Sequence, residues 1–155
     1  MKRFHIHVGV KSIEDSIPFY STLFGKSPTK IKKDYAKWML DDPKINFAIS
    51  TRSKSLGVDH LGIQVDEAAA LTQLTDNFKK ADLGVYNQGT TTCCYAKSEK
   101  AWVKDPAGIA WETYHSMSDA ETYHDSTSND SSSPSSCCTP ATESQNNPPA
   151  KKHCC

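Results

Sequence analysis

This sequence predicts an α+β domain of two tandem βαβββ modules, and three observations predict it. The segments HIHVGV at 5–10 and HLGIQV at 60–65 each open on a histidine and alternate apolar residues with polar or small ones. An amphipathic helical pattern follows each segment, and short strand-like runs joined by Asp-Pro turns follow each helix. The two halves repeat at an offset of about 55 residues, so one supersecondary unit occurs twice.

In the opening strand Ile6, Val8 and Val10 share one face, which leaves His5, His7 and Gly9 on the other. The run at 60–65 repeats this, with Leu61, Ile63 and Val65 opposite His60, Gly62 and Gln64. In both, the histidines point away from the apolar side. The first helix is predicted over SIEDSIPFYSTLFG, with Ser12 and Asp15 at a capping-box-like start and Ile13, Ile17, Tyr20 and Phe24 on one stripe. Gly25 supplies its stop, and Pro18 removes a backbone hydrogen bond, so a kinked or delayed first turn is expected. The second helix is expected from DEAAALTQLTDNFKKADLG, with Leu71, Leu74, Phe78 and Ala81 at helical spacing and Gly84 ending it. Each helix should cover the apolar face of its own strand. The remaining strands are KWML and INFAIS around DDPK, then TTCCYA, KAWVK and IAWETY, the last two joined through DPAG.

Composition sets the limits. With 155 residues, 18 basic and 18 acidic side chains and no net charge, the chain is sized for one domain, and no charge excess points to nucleic acid or a membrane surface. The partner is expected to be a small molecule. Residues 1–123 form the predicted domain, with module one at 1–56 and module two at 57–123. Residues 124–155, rich in Ser, Pro and Cys and almost without large apolar side chains, read as a disordered tail. The start MKRFHIHVGV has no apolar run of signal-peptide type, so the cytoplasm, where thiols stay reduced, is the expected compartment.

All six cysteines come in adjacent couples, 93/94, 137/138 and 154/155. Neighbouring Cα atoms lie about 3.8 Å apart, below the roughly 4.4–6.8 Å of an ordinary bridged pair, so a bond within a couple would be strained. Adjacent thiols suit the capture of a soft, thiol-seeking atom better than a structural framework; a buried apolar pair is the plain alternative. Within IAWETY, Glu112 stands on a face with Ala110 and Tyr114, and a carboxylate there is costly to bury unless paired or ligated.

The paired modules, the opening histidine followed by Ser16, Phe19 and Tyr20, the HLGIQV strand and the closing Asp105–Glu112 stretch together resemble the vicinal oxygen chelate superfamily, which includes glyoxalase I, extradiol dioxygenases and the bleomycin and fosfomycin resistance proteins. The resemblance covers residues 3–115 and implies a curved-sheet domain with metal ligands on the first and last strands of each module. Carried onto this sequence, it implies His5, His60 and Glu112 as metal-binding and catalytic residues. The fourth position falls at Ile49, seven residues after Asp42 as Glu112 is seven after Asp105, and isoleucine cannot ligate. Two imidazoles and a carboxylate with open positions are the set of non-haem Fe(II) oxygenases, although Zn, Mn or Ni accepts the same donors. His7 shares the face of His5 and is read as facing substrate.

The string TTCCYAK followed by WVKDPAGIAWE narrows the resemblance to the carbon-arsenic lyases and their cadmium-induced relatives. It implies an Fe(II)- and dioxygen-dependent lyase that cleaves trivalent methyl or aryl arsenicals to arsenite. Cys93 and Cys94 would then bind the organoarsenical, with Lys104 and Lys97 favouring their thiolates. Adjacent strand residues point to opposite faces, so the clamp requires irregular backbone, expected as a loop or bulge in Gly89–Thr92. The tail couples Cys137/Cys138 and Cys154/Cys155 fit a loose collecting arm, or have no role in the reaction. Two other functions stay open: another dioxygenase or glyoxalase-type enzyme, and a thiol protein that sequesters arsenite or cadmium. Oligomeric state, a homodimer included, is not legible.

Overall fold

A computed structural model describes residues 1–121; the couples Cys137/Cys138 and Cys154/Cys155 lie outside them. The elements run β1 (Lys2–Gly9), α1 (Ile13–Phe24), β2 (Lys30–Lys32), β3 (Tyr35–Asp41), β4 (Lys44–Ser50), β5 (Gly57–Val65), α2 (Ala68–Lys80), β6 (Tyr86–Cys93), β7 (Ala96–Lys104) and β8 (Ala110–Asp119). This is the predicted βαβββ pattern twice. Among the described residues, no helix is long and apolar enough to cross a membrane.

The strands form one eight-stranded sheet in the order β2-β3-β4-β1-β5-β8-β7-β6. Each module places its first strand parallel to its last, β1 beside β4 and β5 beside β8, and the modules join through the antiparallel β1–β5 pair. The sheet curls, because its far ends meet: Lys30 beside the β2–β3 edge donates to the Tyr95 carbonyl at 3.0 Å and to Asp119 at 2.6 Å, and the Tyr35 and Tyr95 rings pack with centroids 5.8 Å apart. Its concave face encloses a cavity.

The convex face is apolar and covered as expected. Ile13, Ile17, Tyr20 and Phe24 of α1 pack on Ile6, Val8, Trp38, Phe47 and Ile49, each fully buried side chain contributing roughly 1.5–3 kcal/mol. Ser12 caps α1 by accepting from the Asp15 amide at 3.1 Å, and Gly25 ends it at φ 60°. The helix runs unbroken through Pro18, and its first turn is not delayed, since Ser12 supplies the cap in advance of the proline. The stop of α2 differs from expectation. Asp82, not Gly84, takes the left-handed conformation at φ 54°, and the Leu83 amide closes onto the Phe78 carbonyl at 3.0 Å. Aspartate tolerates that region better than most side chains, so the turn closes before the glycine is reached.

TTCCYA is not one strand. β6 ends at Cys93, Cys94 and Tyr95 form a two-residue turn, and β7 begins at Ala96, paired with Cys93. Cys94 and Tyr95 have φ of 55° and 60°, the backbone of a type I′ hairpin turn, which ordinarily selects Asn-Gly. The irregular backbone that brings the thiols together lies at the couple itself, and the bulge expected at Gly89 is present as well: the β6–β7 register shifts between Asn87 and Gly89, and Gly89 has φ 70°.

Candidate metal centre and thiol pair

A cavity of about 410 Å³, counted out to its open mouth, is lined by His5, His7, His60, Glu112, Cys93 and Cys94, together with Tyr35, Lys37, Asn46, Lys100 and Tyr114. Six of the seven side chains singled out in the sequence therefore meet in one place. The seventh, Lys104, does not: it is exposed at the far end of β7, paired with Ala110 beside the Asp105 turn. Lys97 is exposed as well.

Three donor atoms converge. His5 Nε2 and His60 Nε2 are 3.2 Å apart, and Glu112 Oε2 is 3.6 Å from each. Donors bound at about 2.0–2.2 Å to one divalent cation stand roughly 3.0–3.5 Å from each other, so a shift of tenths of an ångström would close the set on a metal. Both rings are held in the ligating tautomer. His5 Nδ1 donates to the Asn46 carbonyl at 2.9 Å, and His60 Nδ1 donates to Asp59 Oδ2 at 2.7 Å, leaving each Nε2 directed inward. Asp59 reaches its neighbour's ring because β5 bulges there: His7 pairs with His60 and Val8 with Val58, so Asp59 is skipped in the ladder.

Glu112 is paired. Lys100 Nζ contacts its Oε1 at 2.6 Å, and both side chains are almost fully buried. Gly62 lies opposite Glu112 on β5, where a Cβ would come within 2.3 Å of the Glu112 carbonyl oxygen, so only glycine admits this approach. Burial opposes the Glu112 charge, but Lys100 and the two histidines outweigh it and hold the carboxyl well below its usual range. Burial also pushes His5 down to about 4, Glu112 only partly offsetting it. For His60, burial is overcome by Asp59 and Glu112, which raise it to about 9. Without a cation, one proton on His60 Nε2 thus bridges to the neutral His5; a cation would take that proton's place.

His7 gives the site a third buried imidazole. His5, His7 and His60 each offer a ring nitrogen, all within 4.8 Å of one another, and His7 Nε2 has no hydrogen-bond partner among the described residues. The mutual spacing of the His5, His60 and Glu112 donors is the tighter, which makes them the first set a cation would meet.

Ile49 requires correction. It pairs with Val8 and lies in the convex core, so it does not face the cavity. Glu112 pairs with Gly62 on the parallel neighbour, and the corresponding partner of His7 in module one is Ala48. Counting from Asp-Pro fails because the β3–β4 turn comprises residues 42–43 and the β7–β8 turn residues 105–109. Alanine cannot ligate either.

The Cys93 and Cys94 sulfurs are 3.2 Å apart at the cavity wall. Cys93 is disulfide-bonded and Cys94 carries a thiol. The left-handed turn is held by its surroundings: the Tyr95 hydroxyl donates to Asp34, and its carbonyl accepts from the Ala120 amide at 2.9 Å.

Lys100, Asp59 and Asn46 went unrecognised in the sequence. Lys100 could have been found by folding β7 onto β8 about the Asp105 turn, which puts it two pairs from Glu112 on the same face. Asp59 could not, because strand alternation places neighbours on opposite sides until a bulge intervenes.

Comparison with known proteins gives these geometries a family. Residues 2–113 match the family model of the Glyoxalase/Bleomycin resistance protein/Dioxygenase superfamily. A "trivalent organoarsenical cleaving enzyme" of Bacillus sp. (strain MD1) is 38% identical over 89% of this chain and 83% of its own length. Another so named, from Thermomonospora curvata, is 32% identical over 90% of each chain. The cadmium-induced protein CadI of Mycobacterium tuberculosis is 32% identical over 79% of this chain and 82% of its own. Among solved structures, the 2,3-dioxygenase LapB from Pseudomonas sp. KL28 superposes with a TM-score of 0.57 at 20% identity over 76% of this chain and 42% of its own, a likeness of fold alone.

Proposed function

Because the chain belongs to the glyoxalase/bleomycin resistance protein/dioxygenase superfamily, we propose that it is an Fe(II)- and dioxygen-dependent carbon-arsenic lyase that cleaves trivalent organoarsenicals to arsenite. The observation that carries this reading is that two sulfurs 3.2 Å apart and a convergent His5, His60, Glu112 donor set line the same cavity. The names of the relatives from Bacillus and Thermomonospora support the substrate class.

The chain's own residues do the positioning. A trivalent organoarsenical carries two exchangeable hydroxyls and one carbon. With both cysteines reduced, the Cys93 and Cys94 thiols displace the two hydroxyls as water and leave the carbon substituent turned into the cavity. The disulfide at Cys93 must be opened first, so activity requires a thiol reductant. Glu112 stays ionised because Lys100 neutralises it, and His5 and His60 keep their Nε2 atoms inward through Asn46 and Asp59. His5, His60 and Glu112 would hold Fe(II), which would supply dioxygen activation when bound. The clamp replaces a bimolecular encounter with a held near-attack geometry, and the low exposure of the wall limits water. Lys104 lies outside the cavity lining, in which the lysines are Lys37 and Lys100.

The test is a reduced, iron-loaded protein incubated with trivalent methylarsenical in air and under nitrogen. Arsenite is expected in air alone. Equal arsenite in both refutes the oxidative reaction, and none in either points to capture without turnover. Cys93→Ser and Cys94→Ser should each abolish arsenite formation, whereas an enzyme acting on a catechol would tolerate both.

A further inference from the structure

His7 is not needed by the three-donor set, yet it is 1% exposed in the cavity, and its Nε2 lacks a partner among the described residues. An imidazole nitrogen left so is unfavourable unless something bonds to it. Its ring lies 4.7 Å from that of His60 and 6.2 Å from that of His5, centroid to centroid. The modules' pseudosymmetry explains the room it has. In module two the cavity-facing pair across the parallel ladder is Gly62 and Glu112, a residue without a side chain beside a ligand. In module one the equivalent pair is His7 and Ala48, a large side chain beside a small one. The functional group has changed strands: where module one lacks a carboxylate on β4, it carries an imidazole on β1.

The geometry points to His7 as a fourth protein donor to the cation, so that the centre is His5, His7, His60 and Glu112, with the three imidazoles able to hold a metal when the carboxylate is removed. This rests on the reading that the cavity holds a divalent cation, and it goes beyond that reading by altering which cation is favoured. The ring nitrogens of His5, His7 and His60 span up to 4.8 Å, so His7 must move inward by about an ångström, within reach of a side-chain torsion. Three imidazoles favour Zn²⁺, Co²⁺ and Ni²⁺ over Mn²⁺ more strongly than two imidazoles and a carboxylate do. An additional protein donor also leaves one fewer position open for exchangeable ligands.

Co²⁺ titration of the full reduced chain, read by visible absorption and by competition with a chelator, tests this. His7→Ala should weaken Co²⁺ binding at least tenfold and change the ligand-field bands, and it should lower the preference for Zn²⁺ over Mn²⁺. Glu112→Gln should still bind measurably, and adding His7→Ala to it should remove a further tenfold or more. In the unmutated chain, Zn²⁺ should shift the His7 Nε2 resonance in a ¹⁵N-histidine spectrum, which decides the matter even where His7→Ala fails to fold. A wild-type chain that takes up no Co²⁺ overturns the cation site and this inference with it. Binding that is identical in wild type and His7→Ala, or a His7 nitrogen unmoved by Zn²⁺, overturns the fourth donor while leaving the three-donor centre standing.

Discussion

Lys100 and Glu112 show how one side chain conditions another. A carboxylate inside a cavity wall is unfavourable unless a charge answers it, and the 2.6 Å contact to Lys100 supplies that answer. Lys100→Met should therefore destabilise the cation-free protein by about 3–5 kcal/mol, and saturating Co²⁺ should recover part of the loss, measured by urea unfolding with and without the metal. His60 gives a pH signature. Its value rises from 6.5 unfolded to about 9 folded, so the stability it contributes is complete below pH 6.5 and lost as pH rises through 9. A cation must displace that proton, so metal affinity should climb by up to about tenfold per pH unit until pH 9 and then level, with proton release measurable by calorimetry in buffers of different ionisation heat.

The β6–β7 hairpin carries the thiols on a turn its own residues disfavour. Left-handed backbone at Cys94 and Tyr95 costs of order 1–3 kcal/mol for each residue, and the contacts of Tyr95 with Asp34, Tyr35 and Ala120 offset it. Tyr95→Phe should cost about 1 kcal/mol through the lost hydrogen bond and weaken arsenical binding several-fold by letting the tip relax, read as a rise in KM with kcat nearly unchanged. On β5, Gly62→Ala places a Cβ within 2.3 Å of the Glu112 carbonyl, a clash with backbone that cannot rotate away. Loss of about 1–3 kcal/mol of stability is expected, with loss of Co²⁺ binding as β8 is displaced, checked by thermal melting and metal titration. The two βαβββ units, the two helices and the cavity-facing histidines were all readable from periodicity. The hairpin tip and the β5 bulge were not: each is a backbone conformation imposed by distant partners, and alternation in the sequence is silent about it.

Across both modules the sheet acts as a frame that brings residues more than fifty positions apart within 3.2 Å, as with His5 and His60. Truncation after residue 123 removes every cysteine except Cys93 and Cys94, and should leave arsenite formation per mole within about twofold; a large loss would assign those residues a part in the reaction. Repeat spacing and face alternation already specified a twofold βαβββ domain and the shared face of its strand histidines, and the family resemblance added Glu112 and the cysteine couple, because a short-range pattern determines which face a side chain takes. Which lysine neutralises Glu112, where Asp59 points, whether position 48 or 49 looks inward and how two neighbouring sulfurs come together are consequences of register, bulge and turn. Those features arise from pairing between strands remote in the chain, so folding alone settled them.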